Sequence, residues 1–284
     1  MIETIKSVAI VGAGQMGTGI AQVFATCGYS VKIYDLSVHV METSKLRMKK
    51  SLEKLKEKNQ IAEFPETILN RVEYVCSMQC LQDCNVFIES VFENFDVKSN
   101  ILYQLDKYIG DHSYLATNTS SFSITSLAHM ISRPDRFVGF HFMNPPPLMS
   151  LIEVIKGEHT SDETYNFFWH LAQDLGKTPI YSRNTPGFVL NRILIPMINE
   201  AIYALSENVS TPEQIDEAMK LGANHPIGPL ALADLIGLDT VLAILKTLQR
   251  ELGNYKYCPC PLLEKYVEQG NLGRKTKKGF FEYD

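Results

Sequence analysis

The stretch VAIVGAGQMGTGIAQVFATCGYSVKIYD, residues 8–35, decides the fold of this chain. It opens with an apolar, β-branched strand, Val8 to Val11, and three glycines follow in G-x-G-x-x-G spacing. A helix to about Cys27 and a second apolar strand ending on Asp35 complete the unit. This order of elements is typical of one half of a dinucleotide-binding fold.

At each of the three positions of this fingerprint, glycine is required for a steric reason. Gly12 permits a tight turn, Gly14 lets the backbone approach a pyrophosphate, and Gly17 lets the helix pack closely on the strand. The N–H groups at the start of the helix then bind the phosphates without a basic side chain. We expect a cofactor to contact the residues of this loop: Gly12, Ala13, Gly14, Gln15, Met16 and Gly17.

Asp35 indicates which dinucleotide binds. A carboxylate at the end of the second strand accepts hydrogen bonds from both ribose hydroxyls and repels the extra 2′-phosphate of NADP. The sequence therefore predicts NAD as the cofactor. A merely structural β-α-β turn is the alternative, and the complete strand, helix and acid context disfavours it.

The composition is that of an ordinary globular enzyme. The 284 residues are 45% hydrophobic and 21% charged, with a net charge of −5, so no basic footprint for nucleic acid is present. No apolar run reaches the ~20 residues of a membrane span, and the first strand begins without a cleavable signal. We expect a cytoplasmic protein, or one in a matrix-like compartment, without membrane or nucleic-acid partners.

The six cysteines are irregularly placed, which favours free thiols over a disulfide framework. Cys76, Cys80 and Cys84 recur every four residues and would line one helix face. They lack the paired spacing and histidine partners of a zinc site, so no metal is expected.

Strands and helices alternate up to RNTPGF, residues 183–188, and helices follow. We therefore predict an α/β protein, with an N-terminal Rossmann-like doubly wound domain over residues 1–184 and a C-terminal all-α domain over residues 185–284. The predicted strands after residue 35 are 85–91, 114–117, 136–144, 151–155 and 178–182. The predicted helices are 37–58, 95–109, 162–175, 188–205, 212–221, 230–235, 240–252 and 262–268, and 59–71 is expected to be a loop.

The helix predicted from Phe188 is apolar nearly all round, so we expect it to be buried. A small helical layer with so much apolar surface favours a homodimer. Asn191, near the start of this helix, could face a cleft between the domains. The basic and aromatic tail GRKTKKGFFEY is either solvated or a cap over the nucleotide.

Polar residues just after strands are the candidates for a site, because ligands bind beyond the carboxyl ends of parallel strands. Glu93 and Lys98 follow one strand, and Asn118 and Ser120 follow the next.

His141 lies in an apolar strand, where a histidine is more often a satisfied core residue than a catalyst. A carboxylate buried in LIEVI, Glu153, needs a partner, and the two side chains can meet if their strands pair across the NPPPLM turn.

The helix from Ser37 to Lys58 is strongly charged. A solvated face is the ordinary interpretation of such a pattern. An exposed basic docking site for an anionic ligand tail is the alternative.

The whole chain resembles the 3-hydroxyacyl-CoA dehydrogenase family, in its short single-function form. The resemblance rests on HFMNPP followed by LIEVI, which is the most specific part, and on VGAGQMGTGIA, TNTSS, TPGFVLNR, DEAMKLGANHPIGPLALADLIGLD and GRKTKKGFFEY. Where the family commonly has proline and serine, this chain reads Cys258-Pro259-Cys260-Pro261, at a place to which no catalytic residue maps.

The resemblance implies a role for each matching residue. His141 would be the general base and Glu153 its orienting carboxylate, with Ser120 and Asn191 at the reacting oxygen. The residues that would contact NAD outside the glycine loop and Asp35 are Glu93, Lys98, Asn118, Asn144 and Lys275. Ser51, Lys58 and Ser120 would contact the coenzyme A substrate.

The implied activity is NAD-dependent oxidation of short (3S)-3-hydroxyacyl-CoA, such as 3-hydroxybutyryl-CoA, and the reverse reduction of acetoacetyl-CoA. This reaction is a step of fatty-acid β-oxidation or of its reverse. A related dehydrogenase of free β-hydroxyacids and a non-catalytic NAD-binding protein of the same fold are the alternatives.

Overall fold

The computed structural model describes residues 5, 7–253 and 255–284. The described chain divides into two compact units, with Thr185 the last residue of the first and Pro186 the first residue of the second.

The first unit is built on one eight-stranded sheet, in the order β3-β2-β1-β4-β5-β6-β7-β8. All neighbouring strands are parallel except β6 and β7, which form an antiparallel pair. The chain runs outward from β1 to β3 and returns to β4 on the other side of β1, which makes the β1/β4 junction the switch point of a doubly wound sheet. The strands are β1 Ser7–Val11, β2 Ser30–Tyr34, β3 Val72–Val75, β4 Val86–Glu89, β5 Tyr114–Thr117, β6 Phe137–Phe142, β7 Leu151–Lys156 and β8 Thr178–Arg183.

Helices connect the strands, and polar side chains cap several of them. Ser37, Asn94 and Ser161 each accept a hydrogen bond from a backbone N–H in the first turn of the helix that they precede. The helices of this unit are α1 Gln15–Thr26, α2 Val38–Glu57, α3 Pro65–Leu69, α4 Phe95–Leu105, α5 Ile124–Ala128 and α6 Asp162–Asp174. Short 3₁₀ turns occupy Met78–Leu81 and Pro134–Arg136.

The core of the first unit lies on the central strands. Every residue of β1 and of β4 is buried, as expected for parallel strands covered on both faces. Most of these residues are β-branched or aromatic, but β4 ends on a buried acid, Glu89.

The second unit consists of helices packed around their own core. Ile198, Leu238 and Leu245 are fully buried there. The helices are α7 Leu190–Ser206, α8 Pro212–Gly222, α9 Pro229–Ile236, α10 Leu238–Leu252 and α11 Pro261–Glu268. Together with the sheet of the first unit, they confirm the predicted fold class.

The aromatic end of the tail is anchored to the second unit, whereas the basic residues at positions 274, 275, 277 and 278 are exposed. The buried Asp234 carboxylate accepts hydrogen bonds from the N–H groups of Phe280 and Phe281 and from the hydroxyl of Tyr283. Burial raises the pKa of Tyr283 to about 12, and the hydrogen bond to Asp234 acts in the same direction.

Several local expectations are wrong. The loop expected over 59–71 contains α3, and β3 follows it directly. Cys76, Cys80 and Cys84 do not share a helix face, because β3 ends before the first of them and only a 3₁₀ turn surrounds the second.

The helix expected from residue 188 begins at Leu190 and is not buried all round. Ile195, Ile198 and Ile202 face the core, whereas Ile193 is 65% exposed in the single chain. Phe188, with φ of 49°, lies outside the helix.

Candidate active site

The glycine loop has the geometry that its spacing predicts. Gly12 has φ of 109°, a conformation that favours glycine. A Cβ on Gly17 would lie 1.9 Å from the Gly12 carbonyl oxygen, so only glycine allows this contact of helix and turn. A Cβ on Gly14 would meet no described heavy atom within 4 Å. Gly14 thus faces open space at the start of α1, where a bound pyrophosphate would lie.

Asp35 lies beside this loop. Its carboxylate accepts hydrogen bonds from the N–H groups of Ala13 and Ser37, both at 2.9 Å. These bonds fix the carboxylate at the end of β2, next to the first turn of α1. The glycine cradle, the helix start and the fixed acid together fit the pyrophosphate and the ribose of NAD.

The histidine and the glutamate face each other across the β6–β7 pair. His141 is directly opposite Glu153 in the antiparallel register, and His141 Nδ1 lies 2.8 Å from Glu153 Oε2. Glu153 is fully buried and His141 is 7% exposed. An ionised carboxylate only accepts hydrogen bonds, so it selects the imidazole tautomer with the proton on Nδ1. The acceptor nitrogen of that tautomer is Nε2.

The loop after β5 is tied to Glu93. Oε1 of Glu93 accepts hydrogen bonds from the Ser120 N–H at 2.8 Å and the Ser120 hydroxyl at 3.1 Å. The hydroxyls of Thr119 and Ser121 donate to the same oxygen at 2.7 and 2.9 Å. Because several donors compete for one oxygen and the Ser120 hydroxyl is the most distant of the three hydroxyls, its proton is the most easily given to another acceptor.

The Lys98 ammonium is the positive charge next to Glu93. It lies 3.2 Å from Glu93 Oε2 and 2.8 Å from Glu89 Oε1. Burial by itself would raise the pKa of Glu93, but the Lys98 ammonium and the hydrogen bonds from the Thr119–Ser121 loop outweigh it and lower that pKa.

Two asparagines connect the strand ends. The Asn118 side-chain oxygen accepts a hydrogen bond from the Phe142 N–H at 2.8 Å, which joins the end of β5 to the end of β6. The Asn144 side-chain oxygen accepts one from Gln15 Nε2 at 3.0 Å, so the turn after β6 is joined to the glycine loop. Residues predicted to contact NAD thus occur at the carboxyl ends of several neighbouring strands.

Ser51 and Lys58 lie on the far half of α2 and at its C-cap, seven residues apart and therefore on one side of the helix. Ser51 lies at the edge of the buried face of α2, because Met48 and Leu55, three residues before it and four residues after it, are buried. In the second unit, Asn191 occupies the first turn of α7. Lys275 forms an ion pair with Asp239 at the start of α10.

Sequence reasoning missed Glu89. This residue is fully buried, and its carboxylate accepts hydrogen bonds from the Val91 N–H at 2.7 Å and the Thr117 hydroxyl at 2.6 Å, besides its pair with Lys98. The sequence contains the pattern that could have identified Glu89, namely an acid inside the apolar run NVFIESV. Such an acid needs a buried partner, as Glu153 in LIEVI does.

Among residues 5, 7–253 and 255–284, no group of three or more His, Cys, Asp or Glu side chains is arranged to hold a metal ion. A search of the same residues finds no helix with the length and apolar character of a membrane span.

Comparison with known families covers both units. The model of the 3-hydroxyacyl-CoA dehydrogenase NAD binding domain matches residues 7–185, and that of the C-terminal domain of the same enzymes matches residues 187–283. The chain belongs to the 3-hydroxyacyl-CoA dehydrogenase family. The resemblance stated from the sequence motifs is confirmed, and so is NAD as the cofactor of the N-terminal domain.

Relatives in this family match over nearly their full length. A probable 3-hydroxybutyryl-CoA dehydrogenase of Deinococcus radiodurans is 49% identical over 96% of this chain and 99% of its own. The 3-hydroxybutyryl-CoA dehydrogenase of Bradyrhizobium diazoefficiens is 46% identical over 100% and 97%. The crystal structure of (S)-3-hydroxybutyryl-CoA dehydrogenase from Ralstonia eutropha superposes with a TM-score of 0.94 at 47% identity, covering 99% of this chain and 100% of that one.

Proposed function

We propose that this chain is an NAD-dependent dehydrogenase of short (3S)-3-hydroxyacyl-CoA, which it oxidises to 3-oxoacyl-CoA, and that it reduces acetoacetyl-CoA in reverse. The observation that carries the proposal is the buried pair of His141 and Glu153, in the same sheet as a complete NAD-binding fingerprint. The relatives that match over nearly their full length are named as 3-hydroxybutyryl-CoA dehydrogenases, which supports the same substrate class.

His141 acts as the general base. Oxidation of a hydroxyl requires its proton to leave as hydride departs from the same carbon, so a base must contact that oxygen. NAD, when bound, supplies the acceptor for the hydride. Nε2 of His141 takes the proton, because Nδ1 already donates to Glu153. Glu153 holds this tautomer and stabilises the imidazolium that forms. In the reverse direction the imidazolium returns the proton.

Ser120 and Asn191 hydrogen-bond the reacting oxygen as its charge changes. The Ser120 hydroxyl is suited to this role, since its 3.1 Å bond to Glu93 is the weakest of the three hydroxyl bonds there and can be exchanged for one to the substrate. The Asn191 amide offers donors of the same kind.

The substrate's nucleotide tail binds along α2. Ser51 and Lys58 supply a hydroxyl and an ammonium on one side of the helix. Arg47 and Lys54 extend the same side, since the spacing of 47, 51, 54 and 58 follows the helical period. A free acid has no tail for this stripe, which favours a coenzyme A thioester as the substrate.

The remaining residues hold NAD. Asp35 binds the ribose, the glycine loop binds the pyrophosphate, and Glu93, Lys98, Asn118, Asn144 and Lys275 surround the nicotinamide half. Each assignment rests on the family pattern and on a position after the carboxyl end of a strand, in the first turn of α4 for Lys98 or in the tail for Lys275.

A homodimer through the second unit is part of the proposal. Val189 and Ile193 are 38% and 65% exposed and lie four residues apart at the start of α7, so they form an apolar strip that a second copy would cover. A cytoplasmic location fits six cysteines that are all free thiols.

The test is NADH oxidation with acetoacetyl-CoA, run in parallel with NADPH and with free acetoacetate. We expect turnover with NADH and the thioester only, and a loss of about 10²–10⁴ in kcat for His141→Ala. His112→Ala, at an exposed histidine, is the matched control and should keep the wild-type rate.

Two results would refute the proposal. Faster turnover of free acetoacetate would identify a free-acid dehydrogenase. Tight NADH binding without turnover of either substrate would identify a non-catalytic NAD-binding protein.

A further inference from the structure

Two carboxylates, the buried Glu89 and the partly exposed Glu93, share the Lys98 ammonium near the loop after β5. Glu89 is 0% exposed and Lys98 is 1% exposed, and the Lys98 ammonium contacts both Glu89 and Glu93. This trio, Glu89–Lys98–Glu93, joins a buried ion pair to a partly exposed carboxylate, and the proposed proton transfer uses none of the three.

The hydrogen bonds of Glu89 match those of an ionised carboxylate, because all three of these partners donate to it. Its carboxylate accepts from the Val91 N–H and from the Lys98 ammonium, which have only protons to offer. Its third partner, the Thr117 hydroxyl, donates to Glu89 Oε2 and accepts a hydrogen bond from the Thr119 N–H. No contact of this carboxylate calls for a proton on it.

Glu93 is ionised as well, because donors surround its Oε1 and its pKa is lowered. Two carboxylates and one ammonium leave the trio with one net negative charge. The Glu89 carboxylate is shielded from bulk water at the carboxyl end of β4, where its charge acts over a longer range than a surface charge does.

The trio lies on one side of the switch point. Asp35, which takes the adenosine half of the dinucleotide, is at the end of β2, and the glycine loop follows β1. A dinucleotide that continues across the β1/β4 junction brings its nicotinamide half to the ends of β4 and β5.

We infer that Glu89 is a positioning residue that acts through Lys98 and Glu93. Its charge raises the affinity of the site for NAD⁺ relative to NADH. The nicotinamide ring is cationic in NAD⁺ and neutral in NADH, so a net negative charge near it stabilises NAD⁺ selectively. The inference rests on the proposed NAD site and assigns to it a preference between redox states.

Direct binding tests the inference without any substrate. The dissociation constant of NADH is measured by its fluorescence, and that of NAD⁺ by competition with NADH. Glu89→Gln keeps the side-chain shape and removes one charge. Thr117→Val is the matched variant, because it removes a hydrogen bond from the same carboxylate and leaves every charge in place.

In Glu89→Gln we expect the ratio of the NAD⁺ constant to the NADH constant to rise about tenfold, the effect of one charge at ~10 Å in a medium of effective dielectric ~20. Thr117→Val should leave the ratio within about twofold, even if both constants change. An unchanged ratio in Glu89→Gln, or an equal rise in Thr117→Val, would overturn the inference.

If Glu89→Gln does not fold, the same ratio of dissociation constants is measured for Glu93→Gln. Glu93 is partly exposed, and its replacement removes the same unit of charge, so the ratio should again rise about tenfold. An unchanged ratio there would overturn the inference. Failure of the wild type to bind either cofactor would instead refute the NAD site, and binding without turnover would refute only the proposed reaction.

Discussion

Replacement of Glu153 by Gln tests how the histidine is prepared for catalysis. The Glu153 carboxylate is fully buried, and its Oε2 lies 2.8 Å from Nδ1 of His141. Glutamine has the same shape, but it can turn its NH₂ group toward Nδ1. In that arrangement the imidazole proton moves to Nε2, and the nitrogen that should take the substrate proton carries one already. The neutral amide also no longer stabilises an imidazolium.

The expected loss follows from the role of the base. A positioned general base contributes about 10²–10⁴ to the rate, and each factor of ten corresponds to about 1.4 kcal/mol of activation free energy. We therefore expect kcat of Glu153→Gln to fall by about 10²–10⁴, which corresponds to about 3–5.5 kcal/mol. The KM for NADH should change little, because Glu153 is in β7, four strands from β1 and its glycine loop.

The assay is steady-state oxidation of NADH by acetoacetyl-CoA. Glu158→Gln, at an exposed glutamate just after β7, is the matched control and should keep the wild-type kcat. A thermal melt of each variant establishes that the comparison is between folded proteins. A folded Glu153→Gln enzyme with kcat within about threefold of the wild type would refute the proposed role of the pair.

Four further predictions concern the cofactor site, the assembly and acid stability. Gly17→Ala should lower Tm sharply, because its Cβ would lie 1.9 Å from a backbone oxygen, whereas Gly14→Ala should keep Tm and lose NADH affinity in a fluorescence titration. Asp35→Ser should raise the affinity for NADPH relative to NADH, since the carboxylate that repels a 2′-phosphate is gone; an unchanged preference would contradict the ribose assignment. Ile193→Glu should convert the proposed dimer to a monomer in size-exclusion chromatography with light scattering, and a wild-type monomer would exclude that assembly. The lowered pKa of Glu93 stabilises the fold above the ordinary carboxyl pKa of about 4.3, and this contribution is lost as pH falls through the lower folded-state pKa. The acid side of a Tm-against-pH curve should therefore be flatter for Glu93→Gln than for the wild type.

The β-α-β unit could be predicted from the sequence because its determinants are local. Glycine spacing, a β-branched strand and a terminal acid all occur within residues 8–35, and the structure has β1, α1 and β2 there. β3 was missed for the opposite reason. VEYV is a short edge strand with one buried residue, Val75, and its pairing with β2 brings together positions about 41 residues apart in the chain. Its hydrophobic pattern is too weak to show a strand by itself.

The same contrast between local and distant determinants separates the proposed catalytic pair from the Glu89–Lys98–Glu93 trio. His141 and Glu153 are 12 residues apart across a turn between antiparallel strands, so pairing of those strands is enough to join them. Glu89 meets Lys98 through a helix that must first pack on the sheet, and it meets Thr117 across 28 residues. An acid within an apolar run predicts that a buried partner exists. The partner itself can be predicted only when it lies on the neighbouring strand of a hairpin. In a parallel sheet the partners of a buried acid lie on elements joined to its strand by crossover connections, so tertiary packing determines which residues they are.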